Sequence, residues 1–334
     1  MPVSTVAGPF FEDLRVGELI AAAPGLTLTE GHAALHQAIV GDRLRLVLDR
    51  PLAAMVLGAD APPAHPALVC DVSIGQSTLV TQRVIANLFY RGLVLRRAPL
   101  VGDTLRTTTQ VVALRQNSRR PGRAATGLAV LRVRTADQEE RRVLDFWRCA
   151  MLPLRDPDGD TGHADDLDAI PTELDPAALR AATEGWRLET FRSAAPGPHL
   201  ADLEAGQRWT LEGGDVVSAA PELARLSLNV AMAHHDRHAG GSGRRLVYGG
   251  HTIGIAAAQA TRVLPNLVTI VAWHGCDHLA PVYEDDTLYS QLELEQIEPL
   301  EGGGGLVHLR SRVRAQRGEE SSDVLDWRFV GVMA

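Results

Sequence analysis

Val143-Leu144-Asp145-Phe146-Trp147-Arg148 returns near the C-terminus as Val324-Leu325-Asp326-Trp327-Arg328, an offset of 181 residues. Working upstream from this pair, Gly127-Leu128-Ala129-Val130-Leu131-Arg132 is echoed by Gly305-Leu306-Val307-His308-Leu309-Arg310 at 178. Gly102-Asp103-Thr104-Leu105 is echoed by Asp285-Asp286-Thr287-Leu288 at 183, and Glu12-Asp13-Leu14 with Gly17 by Ala201-Asp202-Leu203 with Gly206 at 189. Four echoes in the same order at nearly one offset indicate a single supersecondary plan laid down twice. One unit is placed at residues 8–153 and the other at 195–334. The stretch 154–194, which opens rich in Asp, Gly and Pro and carries a short helix from Asp175 to Glu184, reads as a linker. Within each unit the order is a loop, a helix and then alternating segments. In Leu288-Tyr-Ser-Gln-Leu-Glu-Leu-Glu-Gln-Ile297, Leu292 and Leu294 alternate with Glu293 and Glu295, the period of a half-buried antiparallel strand. The fold class is α+β, made twice.

Composition narrows the function. The chain has 334 residues, 45% hydrophobic and 22% charged, enough for two sizeable cores. No apolar run approaches the ~20 residues of a membrane span. The opening MPVSTVAGPFFEDL has no basic stretch ahead of an apolar one, so no secretory leader is expected and a cytoplasmic location is. Cys70, Cys149 and Cys276 are far apart and form no CxxC pair, which fits reduced, buried thiols. The net charge is -8, all 33 basic residues are arginine, and no basic patch suggests nucleic acid.

Histidine is concentrated in the second unit, where His234, His235, His238, His251, His274 and His278 fall within 45 residues. The segment from Pro221 to Asp236 reads as a helix with Pro221 in its first turn and Leu223, Leu226 and Val230 on one face. Asn229 and His234 lie about 500° apart on a straight helix, so they converge only if the chain unwinds after Met232. The plainer reading is that His234 caps a helix C-terminus. Downstream, Tyr248-Gly249-Gly250-His251-Thr252 precedes Ile253, Ala256, Ala257 and Ala260 at helical spacing, so a helix starts near Gly250 or Thr252. Its unpaired N–H groups suit a developing oxyanion, and the glycines let a ligand come close to the backbone. Arg244 and Arg245 either clamp an anion or are solvated. On a strand, His274, Cys276 and His278 share one face, a metal-like triplet; the matching stretch of the first unit lacks ligands and no HExxH or CxxC accompanies it, so no metal site is expected.

The order of FFEDLRVG, TEGHAALHQAIVGDR, VIANLFYRGLVLRRAPLVGDTL and GRRLVYGGH, with Asn229-Val230-Ala231-Met232-Ala233-His234, resembles the MaoC-like hydratases, in particular the mesaconyl-CoA hydratases (β-methylmalyl-CoA dehydratases). The resemblance covers about 300 residues of both units. It implies a tandem (double) hotdog, each copy a long central helix wrapped by an antiparallel sheet. It also implies a lyase that reversibly hydrates a short-chain 2-enoyl-CoA, branched and dicarboxylic acyl groups included, with no cofactor because CoA is part of the substrate. R-specific relatives carry Asp-x-Asn-Pro-x-His; here His234 is kept and Asn229 stands where the acid would be, so His234 must serve as both base and acid. The residues implied to be catalytic are Asn229, His234, Gly249 and Gly250, with Asp236 as an alternative assistant; Arg244, Arg245, Tyr248 and His251 are implied to bind substrate. A carboxylated acyl group would find its cation among Arg225, Arg237, Arg244 and Arg245. In the first unit no histidine occurs between His36 and His65, so no dyad is placed there, Asp42 is read as structural, and that unit is read as non-catalytic. A homodimer is expected, with no nucleic-acid or membrane partner. The competing functions are a hotdog thioesterase and a non-catalytic acyl-CoA-binding protein.

Overall fold

The computed structural model of the chain describes residues 7–239 and 243–334. The reading of the extreme N-terminus as leaderless falls partly on residues 1–6, outside the described residues.

Eight long strands form the framework: β1 (Ala86–Leu95), β2 (Thr104–Gln116), β3 (Thr126–Ala136), β4 (Arg142–Pro153), β5 (Leu267–His278), β6 (Thr287–Pro299), β7 (Gly305–Arg317) and β8 (Glu320–Met333). They run β2-β3-β4-β1-β5-β8-β7-β6 in one antiparallel sheet, whose edges are extended by Leu19–Ile20 on β2 and Arg208–Thr210 on β6. The two halves meet where Leu93 and Val94 of β1 pair with Trp273 and Ala272 of β5. In β6, Leu288, Ser290, Leu292 and Leu294 are buried between exposed or half-exposed neighbours, as the period-2 reading requires.

Four helices matter for the site: α1 (Glu30–Val40), α2 (Pro66–Gln76), α3 (Ala220–Leu226) and α4 (Gly249–Val263). All eleven residues of α2 are buried, and α2 packs against α4. Of its polar atoms, Asp71 Oδ2 and Gln76 Oε1 have no hydrogen-bond partner among the described residues. Two of its polar side chains bond across to the first half of the sheet: Ser73 Oγ lies 2.5 Å from Thr135 Oγ1, and Gln76 Nε2 donates to Leu105 O at 3.1 Å. The same contact recurs in the second half, where Gln259 Nε2 donates to Leu288 O at 2.8 Å. Other echoes carry equivalent bonds. Asp103 accepts from Leu100 N and Asp286 from Tyr283 N, while Gly17 N donates to Val111 O and Gly206 N to Leu294 O. Gly17 and Gly206 have φ of 90° and 92°, a region a side chain would strain.

The segment between the copies is not a free spacer. Asp175 caps the helix Pro176–Ala181, a second helix follows at Leu188–Ala194, and Leu179, Leu188 and Phe191 pack on Val268, Val271, Val330 and Val332 at the back of the sheet. Each such side chain contributes roughly 1.5–3 kcal/mol of burial. The short helix expected at Asp175 to Glu184 is present as Pro176–Ala181, whereas the second helix and the packing of both on the sheet were not expected.

Candidate active site

The helix read from Pro221 to Asp236 stops at Leu226, six residues earlier than Met232. Leu228 takes φ 59°, Asn229 N donates back to Ala224 O, and Asn229 Oδ1 accepts from Ala231 N at 2.9 Å. The chain then turns through the short 3-10 helix Met232–His234. An Asn closes such a turn with its own side chain, which helix periodicity cannot register. This early unwinding brings Asn229 and His234 onto one wall.

The first half holds that loop in place. Val230 N donates to Thr78 Oγ1 at 2.9 Å and Met232 N to Gln82 O at 2.8 Å. A Cβ on Gly75 of α2 would stand 1.8 Å from Ser227 O, so only glycine allows the approach.

Asn229, His234, Tyr248, Gly249, Thr252 and His278 from the second half, and Ile74, Thr78, Thr81, Tyr90 and Arg148 from the first, line a cavity of about 540 Å³. His234 Nδ1 lies 3.0 Å from Leu246 O. A carbonyl can only accept, so in the neutral ring Nδ1 carries the proton and Nε2 keeps its lone pair. Burial lowers the His234 pKa to about 4, partly opposed by the Leu246 carbonyl, so the ring is neutral at pH 7. The His234 and Tyr248 rings lie 5.5 Å apart between centroids. Tyr248 precedes α4, and no side chain caps that helix start, leaving its first N–H groups available to a ligand.

Several implied residues lie elsewhere. Gly249 is in the wall, but its missing side chain makes room for His278, whose Nε2 would stand 2.5 Å from a Cβ. Gly250 is absent from the wall; a Cβ there would meet Asp71 Oδ1 at 2.0 Å and Tyr248. The missing side chains of the glycine pair make room for His278, Asp71 and Tyr248, and of the two only Gly249 borders the cavity. His251 is fully buried behind the wall with neither ring nitrogen partnered among the described residues, and burial lowers its pKa to about 4. Arg244 stacks over Tyr283 and Arg245 pairs with Glu284; neither lines the cavity. Asp236 is exposed, accepts from His238 N in a turn and is not among the residues lining the cavity. Arg225 pairs with Glu222 at the surface and Arg237 is exposed.

The His274, Cys276 and His278 triplet does not share a face. The β5–β8 register shifts between Arg328 and Phe329, which puts His274 outside, 2.8 Å from His308, while Cys276 is buried. No group of three or more His, Cys, Asp or Glu among the described residues could hold a metal ion. His278 instead joins the cavity, where sequence reasoning had placed only a candidate ligand.

The argument from missing histidines in the first half is also corrected. Asp42 follows α1 through Gly41 at φ 75° and lies 2.9 Å from His65 Nε2, both buried. The partner comes from the cap of α2, an element the string around Asp42 does not contain.

Comparison with known proteins agrees with this architecture. A family model described as mesaconyl-CoA hydratase matches residues 4–290. The chain is 31% identical to a β-methylmalyl-CoA dehydratase of Chloroflexus aurantiacus, over 97% of this chain and 92% of that protein. It is 30% identical to a mesaconyl-CoA hydratase of Cereibacter sphaeroides, over 92% and 90%. Among solved structures, a conserved hypothetical protein of Mycobacterium tuberculosis, described as having a double hotdog fold, superposes with a TM-score of 0.92 at 54% identity, covering 98% of this chain and 99% of that one. A MaoC-domain dehydratase from Chloroflexus aurantiacus gives 0.88 at 28% identity, with 99% of each chain covered. The fold is a double hotdog.

Proposed function

Starting from the fact that this chain belongs to the mesaconyl-CoA hydratase family of MaoC-type hydro-lyases, we propose that it reversibly adds water to a short-chain 2-enoyl-CoA, with His234 as the single acid–base group. The observation that carries the reading is His234 itself: neutral, anchored through Nδ1 to Leu246, in the wall of a cavity built by both halves.

In this mechanism Asn229 orients a water molecule. Its Oδ1 is committed to Ala231 N, so its amide N–H is the group left to hold the water oxygen. His234 Nε2 takes a proton as that oxygen bonds to C3, and the double-bond electrons move toward the thioester carbonyl. The first N–H of α4, at Gly249 in the cavity wall, stabilises the charge gathering there. The imidazolium then returns its proton to C2 on the same face, restoring the catalyst; dehydration is the reverse. Neither a metal nor a redox cofactor enters these steps.

The nucleotide end of CoA would lie along the loop bearing Arg119, Arg120 and Arg123, which lines a second cavity sharing Ile85 and Leu88 with the first. A thioesterase would need a base for attack on the carbonyl. The one carboxylate in the wall, Asp277, is solvent-exposed, and the helix-end position is an amide.

Incubation with crotonyl-CoA and mesaconyl-CoA tests the reading. Loss of the conjugated-thioester absorbance without free thiol is expected. Release of thiol would establish hydrolysis, and no change with either ester would leave only binding.

A further inference from the structure

Arg148 is a buried cation in the cavity wall, and among the described residues no carboxylate pairs with it. By residue type it pairs with Arg328, but strand parity separates them. Leu144, Phe146 and Arg148 share the inner face of β4, just as Leu325, Trp327 and Phe329 share that of β8, a constant offset of 181 residues. Arg328 stands one residue out of step, on the outer face, where it is exposed and bonded to Glu295. Where the second copy carries Phe329, stacked on Trp327, the first carries a guanidinium that is 3% exposed.

That guanidinium touches only neutral oxygens. Nε donates to Ser77 Oγ at 3.1 Å, and Nη2 donates to Ser77 O at 3.2 Å and Thr81 Oγ1 at 2.8 Å. Nη1 has no hydrogen-bond partner, and no carboxylate forms an ion pair with the group, among the described residues. Even the half-buried arginines of the outer face are compensated, as Arg132 is by Asp145 and Arg310 by Asp326. A buried charge is tolerated when an opposite charge completes it, and a guanidinium matches a carboxylate in shape and donor spacing.

We propose that Arg148 is the specificity-determining residue of the cavity, receiving a carboxylate carried by the acyl chain of the substrate. The inference rests on the hydratase reading and sharpens it, because a cation there selects dicarboxylic over simple enoyl thioesters. It also replaces the four arginines that sequence alone offered for the task.

The test compares mesaconyl-CoA with crotonyl-CoA as substrates, and succinyl-CoA with butyryl-CoA as ligands titrated calorimetrically, in the native chain, Arg148→Lys and Arg148→Met. The native chain should favour the carboxylated member of each pair by ~100-fold, and Arg148→Met should bring both ratios to within a few-fold of one, with Arg148→Lys intermediate. An equal loss on both substrates, or no preference in the native chain, overturns the proposal; the latter is read without any variant and stands even if Arg148→Met fails to fold. Hydration of crotonyl-CoA without preference removes this inference and leaves the hydratase reading. Preferential binding of succinyl-CoA that Arg148→Met abolishes, without turnover of either ester, does the reverse.

Discussion

The two copies carry the same local device at pseudo-equivalent places and use it oppositely. Each has a helix, α1 or α3, ended by a residue of positive φ, Gly41 or Leu228, followed by a polar residue, Asp42 or Asn229, facing the start of a central helix. In the first copy the start is capped by His65, and the polar groups spend themselves on one another. Burial pushes the Asp42 carboxyl up, but the charge and contact of His65 and the N–H of Leu44 outweigh it and hold it below its usual range. The His36 ring packs tilted against His65, 4.9 Å between centroids, and lies 3.8 Å from Asp71. In the second copy an amide replaces the acid and a tyrosine replaces the capping histidine, so His234 has no carboxylate partner among the described residues and faces a cavity. A site stays reactive when its groups are left incompletely satisfied, and becomes part of the core when they pair.

The contrast is open to attack. The largest effect is expected from His234→Ala: turnover should fall by at least ~10³-fold while the melting temperature stays nearly constant. His65→Ala should behave the other way, leaving turnover of folded protein within a few-fold and costing about 3–5 kcal/mol of stability, because Asp42 loses its buried partner. Chemical denaturation alongside initial rates separates the two; a His65 variant as inert as the His234 variant would mean that both copies work.

Acid should destabilise the fold. His234, His251 and His278 have pKa values lowered to about 4 by burial, while an unfolded chain titrates them at 6.5. The unfolded state thus binds more protons below pH 6.5, and stability should fall as pH drops from there toward 4, by on the order of 3 kcal/mol per histidine at the low end. Asp71 partly opposes this: burial raises its pKa from 3.8 to about 8, so its contribution is fully present below about 4 and is lost progressively as pH rises to about 8. One carboxyl is outnumbered by the three histidines. A flat melting temperature between pH 4 and pH 7 would contradict this picture.

Gly250→Ala should cost about 1–3 kcal/mol, since the added methyl collides with Asp71 and Tyr248. Asn229→Asp should have the smallest effect, retaining crotonyl-CoA hydration within about tenfold, because an acid at this position recreates the pairing of the R-specific pattern.

Much of this was legible in the chain. The four echoes foretold the duplicated sheet, because they fall on strands and turns whose hydrogen bonds recur in both halves. Asn229, His234, Tyr248 and Gly249 do meet in one cavity. What escaped is equally instructive. α2 is buried on every side, so it has no amphipathic period to read. Arg148 was matched to Arg328 by letter rather than by face, and a slip of one residue on a strand turns inside to outside. His278 was grouped with His274 because a bulge leaves no mark in a period-2 count. Gly250, Arg244 and Arg245 sit near the site in sequence, but the groups they meet, Asp71, Tyr283 and Glu284, come from distant segments, and His251 is buried behind the wall.

The bonds from Val230 and Met232 to Thr78 and Gln82, with Ser227 seated on Gly75, mean that the C-terminal copy borrows its backbone geometry from its sister. Expressed by itself, that copy would keep His234 and Asn229 yet lose the template that spaces them. The catalytic wall of one copy is thus shaped by backbone and side-chain contacts that only the other copy supplies.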